Sequence, residues 1–347
     1  MFFYGKNPLY KTAECVSPAH PDKLCDQISD IILDACLEQD PDSRVAIETM
    51  GGHGQIYITG ELTTRADVDI QRCVETVLSD NRYNPNDYRV TTNIVGQSRD
   101  IARGVDTGGA GDQGIMVGYA TCDQFGNMPL NFIPVELSLS RFILQTLWSY
   151  FEQARDSKSQ VTILDWKLHS IVLSAERIKK HELKGFLETY ILPLFQREMH
   201  SDFKMFLNEA GEWSNGWFEA DTGVTGRKLA VDNYWPQIEI GGGAFSGKDY
   251  TKVDRSWAYM ARYLALKFLK ENIHLEECKV KLAYSIGVAE PVMVSINGQA
   301  FDPRLLLQNG YILTPKGIRE FLKLSEQKYY PTAKWGHFGA NFIWDTL

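Results

Sequence analysis

The sequence has no C-x-x-C pair, no apolar run of membrane-spanning length, no Pro- or Ser-rich linker and no surplus of positive charge. Each absence excludes something. Six cysteines at 15, 25, 36, 73, 122 and 278 lack the common zinc spacings and predict reduced thiols. Without a membrane-length run, and with a Met1–Pro8 segment too short for a signal peptide, the expected compartment is the cytoplasm. A formal net charge of -8 argues against non-specific nucleic-acid binding and against an anionic membrane surface. Missing linkers predict units packed closely rather than strung out. What remains is ordinary for a globular protein: 347 residues, 44% hydrophobic and 23% charged, enough for two or three domains.

Glycine is concentrated where charge is. Gly241-Gly242-Gly243-Ala244-Phe245-Ser246-Gly247-Lys248-Asp249 runs through Lys252 and Asp254-Arg255-Ser256 into a helical pattern. Consecutive glycines let a backbone approach a ligand, and a following helix start favours anions. Lys248 and Lys252 add positive charge, while Asp249 and Asp254 are expected to accept a metal ion. Gly242 to Gly247-Lys248 has P-loop spacing, but Asp249 stands where that motif needs a Ser or Thr hydroxyl, and Tyr234–Ile240 is only an ambiguous strand. The bland alternative is a glycine-rich turn.

Periodicity orders the chain. Leu24, Ile28, Ile31 and Ala35 predict a helix over Pro21–Gln39, with Asp22, Asp26 and Asp30 on another face. Arg44–Met50 and Ile56–Leu62 alternate as strands, and a helix follows over 66–79. The same order returns with a helix through Leu137, Leu144, Trp148 and Phe151, strands at 160–165 and 168–174, and a helix through Leu183, Phe186, Tyr190 and Leu194. It returns again with a helix through Trp257, Met260, Leu264 and Phe268 capped by Asp254, strands at 279–286 and 292–296, and a final helix opened by Thr314-Pro315. A spacing of about 115 residues is far too long for a solenoid repeat. The expected fold is α+β, three related domains at 1–105, 106–221 and 222–347, each a sheet covered by helices on one face, with terminal strands free to cross between them.

Other candidate residues are scattered. His20-Pro21-Asp22-Lys23 opens the first helix, where the dipole and free N–H groups favour an anion. Glu48 and Glu61 interrupt the alternation of their strands, and plain solvated faces are their commoner fate. Gly108–Gly114 holds Asp112, and the polar stretch Asn93–Val105, with Gln97, reads as a candidate lid. Asp156-Ser157-Lys158 and Asp221-Thr222-Gly223-Val224-Thr225-Gly226-Arg227-Lys228 add further acid–base clusters. Five such clusters over three units point to a large polyanion held by several basic groups and at least one divalent cation.

These motifs in this order resemble the S-adenosylmethionine synthetase (methionine adenosyltransferase) family across nearly the whole chain. Ile286–Pro291 and Trp335-Gly336-His337-Phe338-Gly339 extend the likeness. The resemblance implies three pseudo-threefold α+β domains and a homodimer, often a dimer of dimers, whose sheets form the interface. It implies ATP and L-methionine as substrates, with Mg2+ (two per site) and K+. By resemblance, His20 stabilises the bridging oxygen at C5′, while Lys158, Arg227, Lys228 and Lys248 hold phosphates. Asp22 and Asp254 ligate Mg2+, and Glu48 lies at a K+ site. Glu61, Gln97, Asp221 and Lys252 hold methionine, Asp156 and Ala244 match nucleotide positions, and Asp112 is an acid near the site.

Three departures reshape the expected base pocket. Ser17-Pro18-Ala19 replaces Ser-Glu-Gly, Glu212-Trp213 replaces an Arg-Phe pair, and Gly216-Trp217-Phe218-Glu219-Ala220 replaces Gly-Gly-Pro-x-Gly. Trp213 remains able to stack on adenine. The competing readings are a family member with an altered nucleotide or thioether substrate, and a weakly active ATP-binding regulatory partner.

Overall fold

The computed structural model describes residues 9–97, 108–234 and 236–347. Three four-stranded sheets organise them. Strands β2 (Arg44–Gly52) and β3 (Gln55–Thr63) form a hairpin. Helix α2 (Ile70–Asp80) returns the chain as β4 (Arg89–Val95), parallel to β3. The central unit repeats this: β6 (Ser157–Leu164) and β7 (Lys167–Ala175) pair as a hairpin, α4 (Lys180–Phe186) follows, and β8 (Met199–Leu207) lies parallel to β7. In the third sheet β10 (Glu277–Tyr284), β11 (Met293–Ile296) and β12 (Gln299–Ala300) run antiparallel throughout.

Each sheet takes its fourth strand from elsewhere in the chain. The first receives β9 (Gly223–Val224), the second β1 (Tyr10–Val16) and the third β5 (Gly114–Thr121). The exchange is cyclic, and it locks the three units together without a linker. One long helix covers each sheet: α1 (Pro21–Gln39) packs on β2 and β9, α3 (Val135–Tyr150) on β1 and β6, and α5 (Val253–Glu271) on β5 and β10. Alternation explains the covered face. Val45, Ile47, Ile56 and Ile58 are buried beneath α1, while Glu48, Met50, Tyr57 and Glu61 look outward.

Most expected elements form, with local corrections. The helix expected from 66 begins at Ile70, because Asp69 caps it by accepting from the Arg72 N–H. The helix expected through Leu194 ends as a regular helix at Phe186 and continues as π and 3-10 turns, since Pro193 has no N–H to donate. Asp254 is not the cap of α5; Lys252 holds that position and Asp254 lies in the first turn. Residues 236–240 form a loop, not a strand. Thr314 does cap a helix, α6 (Pro315–Phe321), but a further turn at Thr332–Trp335 follows it. All six cysteines are free, five of them buried.

The acidic face of α1 has a structural purpose. Asp22, Asp26 and Asp30 accept backbone N–H groups of Val224, Gly226 and Gly247 at 3.0, 2.8 and 2.9 Å. One helical turn further on, Asp34 accepts from Tyr329 and Tyr330 at 2.7 and 2.9 Å. Asp30 also takes both terminal nitrogens of buried Arg255, at 2.6 and 2.8 Å. Removing one partner of a fully buried pair costs more than the pair contributes, because the other charge is left without compensation. We predict that Asp30→Asn lowers unfolding stability by about 3–5 kcal/mol. Denaturant unfolding checks this, and a loss below about 1 kcal/mol would contradict it.

Candidate active site

Proline at the start of α1 places His20 at the N-cap, where its Nδ1 accepts from the Asp22 N–H at 3.2 Å. A neutral imidazole accepting at Nδ1 carries its proton on Nε2. Burial, with Lys228 nearby and Asp22 opposing, lowers the His20 pKa to about 3. His20 is therefore a neutral donor at ordinary pH. Asp22 lies just inside the helix, its Oδ1 accepting from Arg227 Nε at 2.9 Å and its Oδ2 from Lys228 Nζ at 2.6 Å. Burial pushes that carboxyl up, but the Lys228 ammonium outweighs it and the net shift is downward. Lys158, exposed on β6, adds positive charge near His20 and makes a loose pair with Glu14 at 3.7 Å.

The glycine loop forms the second wall. Residues 247–249 run along the free edge of β2 beyond the short β9: Gly247 O accepts from the Ile47 N–H at 3.0 Å, and Val45 O from the Asp249 N–H at 3.1 Å. Gly247 has φ +80, and any Cβ there would overlap the Ile47 carbonyl oxygen. At Gly243 a Cβ would occupy the Asp254 carboxylate. Lys248 Nζ donates to Asp254 Oδ2 at 2.7 Å. On the outer face of β2, the Glu48 carboxyl is raised by shielding from water, with Lys248 opposing and Glu61 reinforcing. Ala244 meets Gly226, so this wall touches the one carrying Arg227 and Lys228.

Of the two acids expected to accept a metal, Asp249 is committed to structure. It is fully buried, accepts from the Val45 and Thr251 N–H groups at 2.7 Å each, and pairs with Lys252. Among the described residues no three of His, Cys, Asp and Glu gather as a metal cage. Asp22 and Asp254 stand singly, each with oxygens held by lysine. That donor set suits Mg2+ shared between single carboxylates and substrate phosphates rather than an all-protein cage.

Several expected residues gather and others do not. Trp213 and Asp156 close together on Gly216, while Glu212 is exposed. Asp221 is exposed beside Gly52, its carboxylate accepting from the Thr222 N–H. Gln97 meets the end of β3 through its N–H to Thr63. Asp112 is exposed and, among the described residues, bonds within its own turn, to the Gln113 N–H. The expected lid Asn93–Val105 lies from residue 98 onward outside the described residues. The departure at Phe218 fills core space: its ring is buried against Gly51 and makes an edge contact with Tyr88 at 5.8 Å.

Sequence reasoning missed the residues that hold these walls in place. Lys23, fully buried, bridges Asp26 and Asp232 at 3.2 and 2.6 Å behind the Arg227–Lys228 turn. The i, i+4 spacing of Asp22, Asp26 and Asp30 was the available signal.

A neutral imidazole donor at a helix N-terminus, cations paired to single carboxylates and a glycine-lined wall define an enzyme that handles a polyphosphate. Comparison with known proteins gives the family. Models of the N-terminal, central and C-terminal domains of S-adenosylmethionine synthetase match residues 9–103, 107–213 and 216–346. S-adenosylmethionine synthases of Mycoplasmopsis synoviae and Mycoplasmopsis pulmonis are 40% and 38% identical, each over 97% of this chain and 94% and 96% of their own lengths. A solved structure described as an unusual S-adenosylmethionine synthetase from Campylobacter jejuni is 32% identical with a TM-score of 0.86, covering 97% of both chains. The chain belongs to the S-adenosylmethionine synthetase family, whose members are methionine adenosyltransferases.

The His20 shift makes a stability prediction. The unfolded imidazole takes a proton near pH 6.5, whereas the folded one stays neutral until about pH 3. Between those values the unfolded state binds more protons, so stability from this group falls as pH falls. Relative to His20→Asn, which keeps an N-cap acceptor, the unsubstituted protein should lose about 2 kcal/mol between pH 7.5 and pH 5. Parallel curves for the two proteins, measured by denaturant unfolding across pH, would contradict it.

Proposed function

We propose that the chain makes S-adenosylmethionine from ATP and L-methionine. The methionine sulfur attacks C5′ of ATP in line; the C5′–S bond forms as the C5′–O bond breaks, and the bridging oxygen keeps the electron pair. The thioether has no proton to lose, so no general base is required. Charge on the departing tripolyphosphate is the difficulty, and positioned donors and cations answer it. Water then splits the tripolyphosphate into diphosphate and phosphate.

The observation that carries this reading is the neutral His20, with Nδ1 occupied by the Asp22 N–H and Nε2–H available to the bridging oxygen. Lys158, Arg227, Lys228 and Lys248 hold phosphates in this reading, exchanging their carboxylate partners for phosphate oxygens. Asp22 and Asp254 hold Mg2+, which neutralises phosphate charge when bound, and Glu48 is one ligand of K+. Glu61, Gln97, Asp221 and Lys252 receive methionine, Asp156, Trp213 and Ala244 the nucleoside, and Asp112 approaches the site from its turn. The protein works as a homodimer through the outer sheet faces, where Met50, Tyr57 and Ile115 are exposed in a single chain; two dimers pairing gives a tetramer. The cytoplasm is the compartment that fits its free thiols.

Glu212-Trp213 favours a second reading, altered nucleotide choice on an intact phosphate side. Purified protein incubated with Mg-ATP or Mg-GTP, K+ and methionine separates the two when the sulfonium product (S-adenosylmethionine from ATP, S-guanosylmethionine from GTP) and phosphate are followed together. Production from ATP supports the main reading, production only from GTP the second, and bound ATP without product overturns both. His20→Asn should lower turnover about 100- to 1000-fold with ATP affinity little changed, the signature of an interaction made in the transition state. Lys248→Ala should lower kcat far more than it weakens methionine binding; equal losses would contradict a leaving-group role.

A further inference from the structure

A cavity of about 440 Å³ lies on the far side of α3 from its sheet, and none of the candidate site residues described above lines it. Its walls include Met128, Leu130, Phe142, Leu194 and Phe195, which are apolar, and among the described residues its only charged lining residue is Arg141. Ser138, Arg141, Phe142 and Gln145 follow one another at helical spacing, so a single face of α3 supplies them. Arg141 is only 6% exposed and has no carboxylate partner among the described residues. Asp232 is committed to Lys23, and Asp345 to Arg262. The terminal nitrogens of Arg141 donate to the Phe338, Val231 and Asn233 carbonyls at 2.5, 3.2 and 3.5 Å. Its Nε is buried with no partner.

A buried guanidinium hydrogen-bonded only to carbonyls, with one nitrogen wholly unpartnered, sits at a cost that an anion would relieve. We propose that the cavity binds a small monoanion with an apolar body, of the class of short aliphatic or aromatic carboxylates, with its acid on Arg141. The volume suits such a molecule, and the lining offers apolar contact with one point of charge recognition. Through its other nitrogens Arg141 grips the turn that carries Asp232 and follows Lys228, so the cavity shares a residue with the support of the polyphosphate wall.

Titration calorimetry and ligand-observed NMR on the full chain test this with benzoate and hexanoate against their neutral amides. Both acids should bind about tenfold more tightly than benzamide and hexanamide. Gln145→Trp, a substitution at the exposed rim, should abolish binding at an unchanged melting temperature. Arg141→Lys, which keeps charge but removes Nε, should weaken the acids about tenfold and leave the amides alone. Lys252→Ala, on the glycine-loop wall, should leave binding intact. Equal binding of acid and amide, binding indifferent to Gln145→Trp, loss of binding in Lys252→Ala, or no binding of either acid at millimolar concentration would each overturn the proposal.

Discussion

Four aspartates at successive turns of α1 hold backbone N–H groups from segments roughly two to three hundred residues further along the chain. Their carboxylates are buried, so each would be costly without its partner, and the partners lie in short segments with little pairing of their own: Val224 in two-residue β9, Gly247 at the edge of β2 and Tyr329 in a loop. One helix thereby fixes the Val224–Gly226 turn, the glycine loop and the 329–330 segment against a common surface. The active-site walls are loops, and α1 makes them rigid.

In the proposed reading, that rigidity sets the chemistry. Asp22 ends the stripe at the helix N-terminus, where its N–H fixes the His20 tautomer while its oxygens gather Arg227 and Lys228. Lys248 and Asp254 form a similar pair on the opposite wall. Under the proposed function both pairs hold their cations at the walls before any substrate arrives. Their cations are partly exposed, so in the proposed reading phosphate oxygens can take them over and release the acid. By contrast, Asp30–Arg255 and Lys23–Asp26–Asp232 are fully buried and serve as fixed supports.

Legibility in the sequence followed physical range. Helix α1 forms over the expected Pro21–Gln39, because apolar periodicity and proline at the first turn are local signals. The β2–β3 and β6–β7 hairpins were readable for the same reason. Lys252 at the cap position of α5 was not readable, since lysine has no side-chain acceptor for a helix N–H, while Asp254, which has one, turns to the Lys248 ammonium. Asp249 looked like a metal acceptor in a glycine loop; its burial against the edge of β2 made it a strut. Trp213 and Phe218 both read as changes to a base pocket, yet Phe218 fills core space against Gly51.

By itself the sequence determined the repeat of helix, hairpin and helix, the concentration of glycine with lysine and aspartate, and the family those motifs resemble. Such features depend on residue type and spacing within a few turns, where sterics and hydrogen bonding act directly. Tertiary structure alone decided that β1, β5 and β9 would each complete another unit's sheet. It also decided that Asp249 and Asp30 are struts, and that Arg141 would be buried beside an apolar cavity with no salt-bridged carboxylate among the described residues. A carboxylate's role follows from what approaches its oxygens, and those partners come from chain segments that only folding brings near.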